Sequence, residues 1–168
     1  DGMTVNAYLV WEPETEAAAV FDTGADCGPL LEFARTNRLV IKSIFVTHAH
    51  ADHVADLARL RRETGAAAFA PANESVAGTE SFSPGRSFHV GRLQVETRLT
   101  TGHARGAVSY LIDGLAKPLA VVGDALFAGS MGGGLVSYAD ALANNRSHLF
   151  TLPDHAVICP GHGPLTTV

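Results

Sequence analysis

Charge is scarce in this sequence. Only 17% of the 168 residues are Asp, Glu, Lys or Arg, against a usual share of about 25%, while 46% are hydrophobic. That balance excludes an acidic or basic disordered segment and favours a layered fold with much interior. A chain of this length, folded as one domain, buries roughly 70% of its extended surface. Lys and Arg number 12 against 17 acidic residues, for a net charge of -5. They are unclustered, so no nucleic-acid partner is expected. The densest basic group, Arg59, Arg61 and Arg62, reads as the solvated face of a helix. No apolar run approaches the roughly 20 residues of a membrane span, so no membrane partner is expected either. The chain opens at Asp1 without a signal-peptide pattern.

Cysteine is nearly absent. Cys27, in a glycine-rich turn, and Cys159, at the end of an apolar run, are the only two, and they lack the C-x-x-C spacing of a thiolate zinc site. Two reduced cysteines of an intracellular protein are expected rather than a disulfide, and with them a cytoplasmic location. A nucleophilic Cys159 using His162 as its base is set aside, because His162 belongs to a stronger pattern. The run Met131-Gly132-Gly133-Gly134 lacks the Lys-Ser/Thr ending of a phosphate-binding loop and reads as a mobile loop at the rim of a site.

What is present alternates strand and helix. β-Rich runs at 3–11 and 16–22 flank the turn Glu12-Pro13-Glu14 and predict a hairpin. A helix is predicted over 28–38, with Pro29 in its first turn, followed by a strand over 41–46 buried on both sides. Residues 54–64 predict a second helix stopped by Gly65, and 66–70 another strand closed by Pro71. Hairpins follow at 87–90 with 93–99 and at 108–112 with 119–122, then a helix over 138–149 and a last strand at 156–159. No repeat or linker interrupts this order. Residues 1–168 are expected to form one mixed α/β (α+β) domain, sheets inside and helices outside.

The histidines and aspartates fall where strands end. Thr47-His48-Ala49-His50-Ala51-Asp52-His53 follows the strand ending at Val46, and Thr101-Gly102-His103 follows Leu99. Gly123-Asp124 follows Val122, and Pro160-Gly161-His162-Gly163 follows Cys159. Rigid strands thus aim side chains carried on adaptable loops. Carboxylates that converge without a counter-charge are costly to bury, so the pattern implies a cation. Imidazole and carboxylate without thiolate suit zinc, with iron or manganese as alternatives. Seven candidate groups exceed one tetrahedral zinc, so two divalent metal ions are implied. His89, His148 and His155 belong to no motif and read as ordinary polar residues.

Thr-His-Ala-His-Ala-Asp-His resembles the H-x-H-x-D-H signature of the metallo-β-lactamase superfamily. His103, Asp124 and His162 complete that family's ligand set in order, and the resemblance runs from Phe21-Asp22-Thr23-Gly24 to Pro160-Gly161-His162-Gly163. The stretch Gly123-Asp124-Ala125-Leu126-Phe127-Ala128-Gly129-Ser130 is most similar to the branch that holds glyoxalase II (hydroxyacylglutathione hydrolase) and persulfide dioxygenase. The resemblance implies a four-layer αββα sandwich and a dinuclear site. His48, His50 and His103 would hold one metal, Asp52, His53 and His162 the other, and Asp124 would bridge them. Asp52 and Asp124 would be the catalytic carboxylates, and Asp22 would orient a ligand side chain without binding metal itself. Zinc would lower the pKa of a bound water to about 7 and make it the nucleophile.

Hydrolysis of a small-molecule thioester or ester is therefore the expected reaction. The alternative is a persulfide dioxygenase holding one Fe(II) on His48, His103 and Asp124; a lactonase or a non-catalytic binding module ranks below it. The bridging aspartate argues against antibiotic hydrolysis, since β-lactamases of the fold lack it. In relatives of the glyoxalase II type, the loop after Gly-Asp-x-Leu-Phe carries a basic residue. Here residues 129–134 carry none, so weak glutathione recognition is expected.

Overall fold

The short apolar runs pair into two sheets. A computed structural model describes residues 4–168 of the chain. The first sheet is built from Tyr8–Trp11 (β1), Ala17–Phe21 (β2), Val40–Phe45 (β3), Ala67–Pro71 (β4) and Glu80–Phe82 (β5), side by side in that order. β1 and β2 form the expected antiparallel hairpin, and β2 to β5 run parallel. Met3, where the first β-rich run begins, lies outside the described residues. Parallel neighbours need crossover connections. Two of these are helical: Gly28–Thr36 (α1), and the pair Ala51–Val54 (α2) and Leu57–Thr64 (α3).

The second sheet contains Ser87–Val90 (β6), Leu93–Leu99 (β7), Val108–Asp113 (β8) and Leu119–Gly123 (β9). A ribbon of Leu126–Phe127 (β10) and Ser130–Met131 (β11) and the helix Tyr138–Asn144 (α4) precede its last strands, Val157–Pro160 (β12) and Thr166–Thr167 (β13). The strand order is β13-β12-β9-β8-β7-β6. Both predicted hairpins are present and antiparallel.

Strand alternation sorts the side chains into layers. Ala19 and Phe21 of β2 face the core between the sheets, where they meet Phe45, Phe88, Tyr110 and Val121. Ala18 and Val20 face the other way, onto Ala34 of α1 and Leu57 and Leu60 of α3. On the second sheet Ala120 and Val122 pack outward against Leu126 and Leu149. Strands such as β2 and β9 are thus buried on both faces and read as continuous apolar runs. By contrast, β6 and β7 alternate buried with polar, solvent-facing residues, and Lys42 of β3, in the run expected to be buried on both sides, is exposed. The result is the expected αββα sandwich.

Three expectations change in detail. The helix expected over 54–64 is two helices: α2 starts at Ala51 and carries Asp52 and His53, and the chain breaks before α3, where the Asp56 carboxylate accepts the backbone N–H of Cys27 (2.8 Å). The helix expected over 138–149 is α4 followed by a π-helical turn, Asn145–Leu149. β5, β10, β11 and β13, of two or three residues each, carry too little periodicity to be read in advance. Cys27 and Cys159 are free and buried in different cores. No helix among the described residues is long and apolar enough to cross a membrane.

Candidate metal centre

The carboxyl ends of five strands bring the predicted residues to one edge of the sandwich. Asp22 follows β2, His48 and His50 follow β3, Asp124 follows β9 and His162 follows β12. His103 follows β7, and Asp52 and His53 ride on α2. The buried hydroxyl of Tyr110 donates to the carbonyl of Val46 (2.6 Å), fixing the chain two residues before His48. Gly161 lies against the centre: a Cβ there would fall 2.1 Å from Asp124 Oδ1 and 2.6 Å from His53 Cε1, so only glycine allows the approach.

All seven candidates converge. His50 Nδ1 lies 3.0 Å from His48 Nε2 and 3.1 Å from His103 Nε2. His53 Nε2 faces Asp124 Oδ1 at 3.3 Å, while Asp124 Oδ2 is 3.4 Å from His103 Nε2 and 3.5 Å from His162 Nε2. Asp52 Oδ2 lies 3.3 Å from His162 Nε2. Three groups of residues could hold a metal ion: His48 with His50 and His103, Asp52 with His53 and His162, and His48 with His53 and Asp124. Asp124 therefore stands between the two outer groups.

The far nitrogens decide which way each imidazole presents its lone pair. Carbonyl oxygens only accept, so His103 Nδ1 must donate to Gly133 O (3.0 Å) and His162 Nδ1 to Thr4 O (2.9 Å). His53 Nδ1 donates to Asp22 Oδ2 (2.8 Å). The Thr47 hydroxyl donates to Asp22 Oδ2 (2.8 Å), so its oxygen is left to accept from His48 Nδ1 (3.0 Å). Four histidines thereby donate from Nδ1 and turn Nε2 inward, so each ring, once neutral, presents a free lone pair there, the arrangement in which outer partners orient metal ligands. Asp22 takes a third bond, from the backbone N–H of Thr47 (2.8 Å). It touches Thr47 and His53 and belongs to none of the three donor groups. Its backbone is left-handed (φ 52°), a conformation an aspartate tolerates better than most residues.

The electrostatics agree with a cation. Burial first, and then the neighbouring His53, push His48 down to about 2, so it is neutral at pH 7. Burial opposes a proton on His53 as well, but the carboxylates of Asp124 and Asp22 on either side outweigh it and raise His53 to about 10. Asp124 is held below the usual carboxylate range: burial would raise it, and the facing His53 prevails. Positive charge is wanted between these groups. His53 Nε2 and Asp124 Oδ1 are buried and face only each other, at 3.3 Å; with a neutral imidazole that contact joins two acceptors, which is costly unless a cation satisfies both. Ligand atoms about 2.1 Å from a tetrahedral zinc stand roughly 3.4 Å apart, and the separations above, 3.0–3.5 Å, have that size. The donors fit a divalent ion.

His89, His148 and His155 stay outside these groups. Several residues that support the centre carry no motif. Asn6 Nδ2 donates to the carbonyls of Pro160 (3.0 Å) and Gly163 (2.8 Å), and the Tyr8 hydroxyl also donates to Pro160 (2.6 Å), so β1 and the residues just before it clasp the loop of His162. The glycine run expected as a mobile rim orients His103 through Gly133 and is tied by Gly132 N–H to Ala125 O (3.3 Å). Glu74 contacts the loops of both His48 and His103.

Comparison with known proteins points the same way. The family model of the metallo-beta-lactamase superfamily matches residues 1–162. A hydroxyacylglutathione hydrolase of Pseudomonas putida is 30% identical over 157 residues, which cover 92% of this chain and 60% of the relative. The chain thus spans about 60% of the length of such curated relatives. Among solved structures, ETHE1 from Myxococcus xanthus matches with a TM-score of 0.84 at 25% identity, over 98% of this chain and 75% of that one. TTHA1623 in a di-iron-bound form matches with a TM-score of 0.78 at 25% identity, over 99% and 91%.

Proposed function

Because the chain belongs to the metallo-beta-lactamase superfamily, we propose that it is a metal-dependent hydrolase of a small-molecule thioester or ester. His48, His50 and His103 would hold one divalent ion, zinc before iron or manganese, and Asp52, His53 and His162 a second, with Asp124 shared between them. The observation that carries this reading is the completeness of both donor groups around one buried, otherwise unsatisfied carboxylate. Two such ions, when bound, supply a water acidic enough to ionise near neutral pH and a Lewis acid for a carbonyl oxygen.

The chain's own residues divide the remaining tasks. Asp22, Thr47, Gly133 and Thr4 hold the imidazoles in the tautomer that presents Nε2. Asp124 is buried, whereas the Asp52 side chain is 48% exposed, so Asp52 forms the solvent-facing side of the second donor group. A cleft beside the first donor group is lined by His50, His103, Asn73, Arg105, Leu135 and Val136. Leu135 is 73% exposed. Such a cleft would lay an apolar arm of the substrate on Leu135 and Val136 and bring an anionic group to Arg105. With no cation in residues 129–134, Arg105 is the group left to recognise a carboxylate there.

A persulfide dioxygenase, with one Fe(II) on His48, His103 and Asp124, draws support from the likeness to ETHE1. It leaves Asp52, His53 and His162 without a task, which is why hydrolysis is preferred. The purified protein is assayed for metal content and for cleavage of a thioester and ester panel under anaerobic conditions, and separately for oxygen uptake with glutathione persulfide. Thioester or ester cleavage without oxygen is expected. His103→Ala and Asp124→Ala should each abolish it and lower metal content, while His89→Ala should change neither. Rapid oxygen uptake together with no cleavage would replace this reading by the dioxygenase.

A further inference from the structure

Glu74 lies in the turn after β4, in a stretch without a motif, yet its carboxylate reaches two of the loops that carry histidines. Its Oε2 accepts a hydrogen bond from the backbone N–H of Ala49 (2.9 Å), and its Oε1 accepts one from the backbone N–H of Gly106 (2.7 Å). Ala49 separates His48 from His50, and Gly106 follows His103 by three residues. The bases of the same loops are joined by Val108 N–H to the carbonyl of Thr47 (3.1 Å). One hydrogen bond fixes a point and leaves each loop free to pivot about it. A second tie, made by one rigid planar carboxylate, removes that rotation. The packing is equally close: a Cβ on Gly106 would fall 2.8 Å from Cβ of Asn73 and 3.0 Å from Cγ of Glu74. The turn is itself anchored to the sheet, since Glu74 N–H donates to Pro71 O (2.9 Å) and Ala72 N–H to Phe82 O (2.8 Å).

We propose that Glu74 is a positioning residue for the His48, His50 and His103 group: it sets the spacing at which their nitrogens meet, and thereby the affinity of that half of the centre for a divalent cation. This rests on the reading of those histidines as metal ligands. Glu74 touches no ion itself, because both of its oxygens serve backbone donors. Its influence is on the tolerance of the site, which must be held within about 0.5 Å to bind well. The nitrogens now stand 3.0 and 3.1 Å apart, and loops released from their common tie would spread that distance.

Metal-stripped protein is titrated with Co(II) against a competing chelator, and the visible spectrum of the bound ion is recorded. Glu74→Ala is expected to weaken one equivalent of Co(II) by about 10–100-fold, the range found when groups that orient ligands are removed. Its spectrum should change, and the other equivalent should bind as in the parent. Glu74→Gln keeps one carbonyl acceptor but turns its amide hydrogens toward the other backbone N–H. It should fall between parent and Ala variant, and it decides the matter alone if the Ala variant does not fold. Parental affinity and spectrum in the variants, including a loss confined to the thermal stability of metal-stripped protein, would overturn the proposal. A parent chain that binds no Co(II) would instead overturn the reading of the histidines, and the proposal with it.

Discussion

Replacing Asp22 by asparagine isolates the orienting network from the metal donors. The side chain keeps its volume, so no cavity forms, and asparagine accepts the left-handed backbone at this position (φ 52°) as readily as aspartate does. What changes is hydrogen bonding. The carboxylate, 2% exposed, accepts from Thr47 N–H, the Thr47 hydroxyl and His53 Nδ1, each at 2.8 Å. An amide has one accepting oxygen. Whichever way it turns, its N–H2 faces at least one buried donor, at a cost of about 1–3 kcal/mol for the unsatisfied group. The surviving bonds lose their charge assistance, falling from about 1.5–3 toward about 1 kcal/mol each. With one donor unsatisfied and two bonds weakened, the sum is about 2–7 kcal/mol. That range brackets the roughly 3–5 kcal/mol seen when one partner of a buried pair is removed and is a large part of a typical 5–15 kcal/mol of stability. If the N–H2 faces His53, the ring must also present Nδ1 as an acceptor and Nε2 as a donor, which spoils it as a ligand. A further 10–100-fold loss of metal affinity follows. Urea unfolding of metal-stripped protein measures the first quantity, and zinc competition titration the second. An Asp22→Asn protein within about 1 kcal/mol of the parent, with parental zinc affinity, would refute the assignment of Asp22 as the hub that orients His53 and, through Thr47, His48.

Two further outcomes follow from close contacts and burial. Gly161→Ala should cost about 1–3 kcal/mol by overpacking and deplete bound metal, because its Cβ would meet Asp124 Oδ1 at 2.1 Å; metal analysis beside an unfolding curve checks both, and a fully loaded variant contradicts the contact. Burial pushes the thiols of Cys27 and Cys159 up to about 12, helped at Cys27 by the Asp56 carboxylate. Neither should react with a thiol reagent at pH 8 until the protein is unfolded, and rapid labelling of the native chain would show the cores to be more open than described.

The residues of the candidate centre were legible in the sequence because each group of them follows a strand, and local order in the chain is enough to mark strand ends as candidate ligand positions. The layering was legible for a similar reason: runs such as 44–46 and 119–122 are apolar on both faces, as a doubly covered sheet requires. Which group turns each imidazole was not legible, beyond the resemblance that implied an orienting role for Asp22 without naming its partner. His53 finds Asp22 across 31 positions of sequence and His162 finds Thr4 across 158, and no local pattern encodes a partner so distant. The same holds for Glu74, an acidic residue in an unremarked turn until the fold sets its two oxygens against Ala49 and Gly106. Sequence by itself determined which side chains gather, because residue type and strand periodicity are local properties. Only the tertiary structure decided which atoms face inward and what holds them, because a hydrogen bond between distant segments exists only once both have been packed into place.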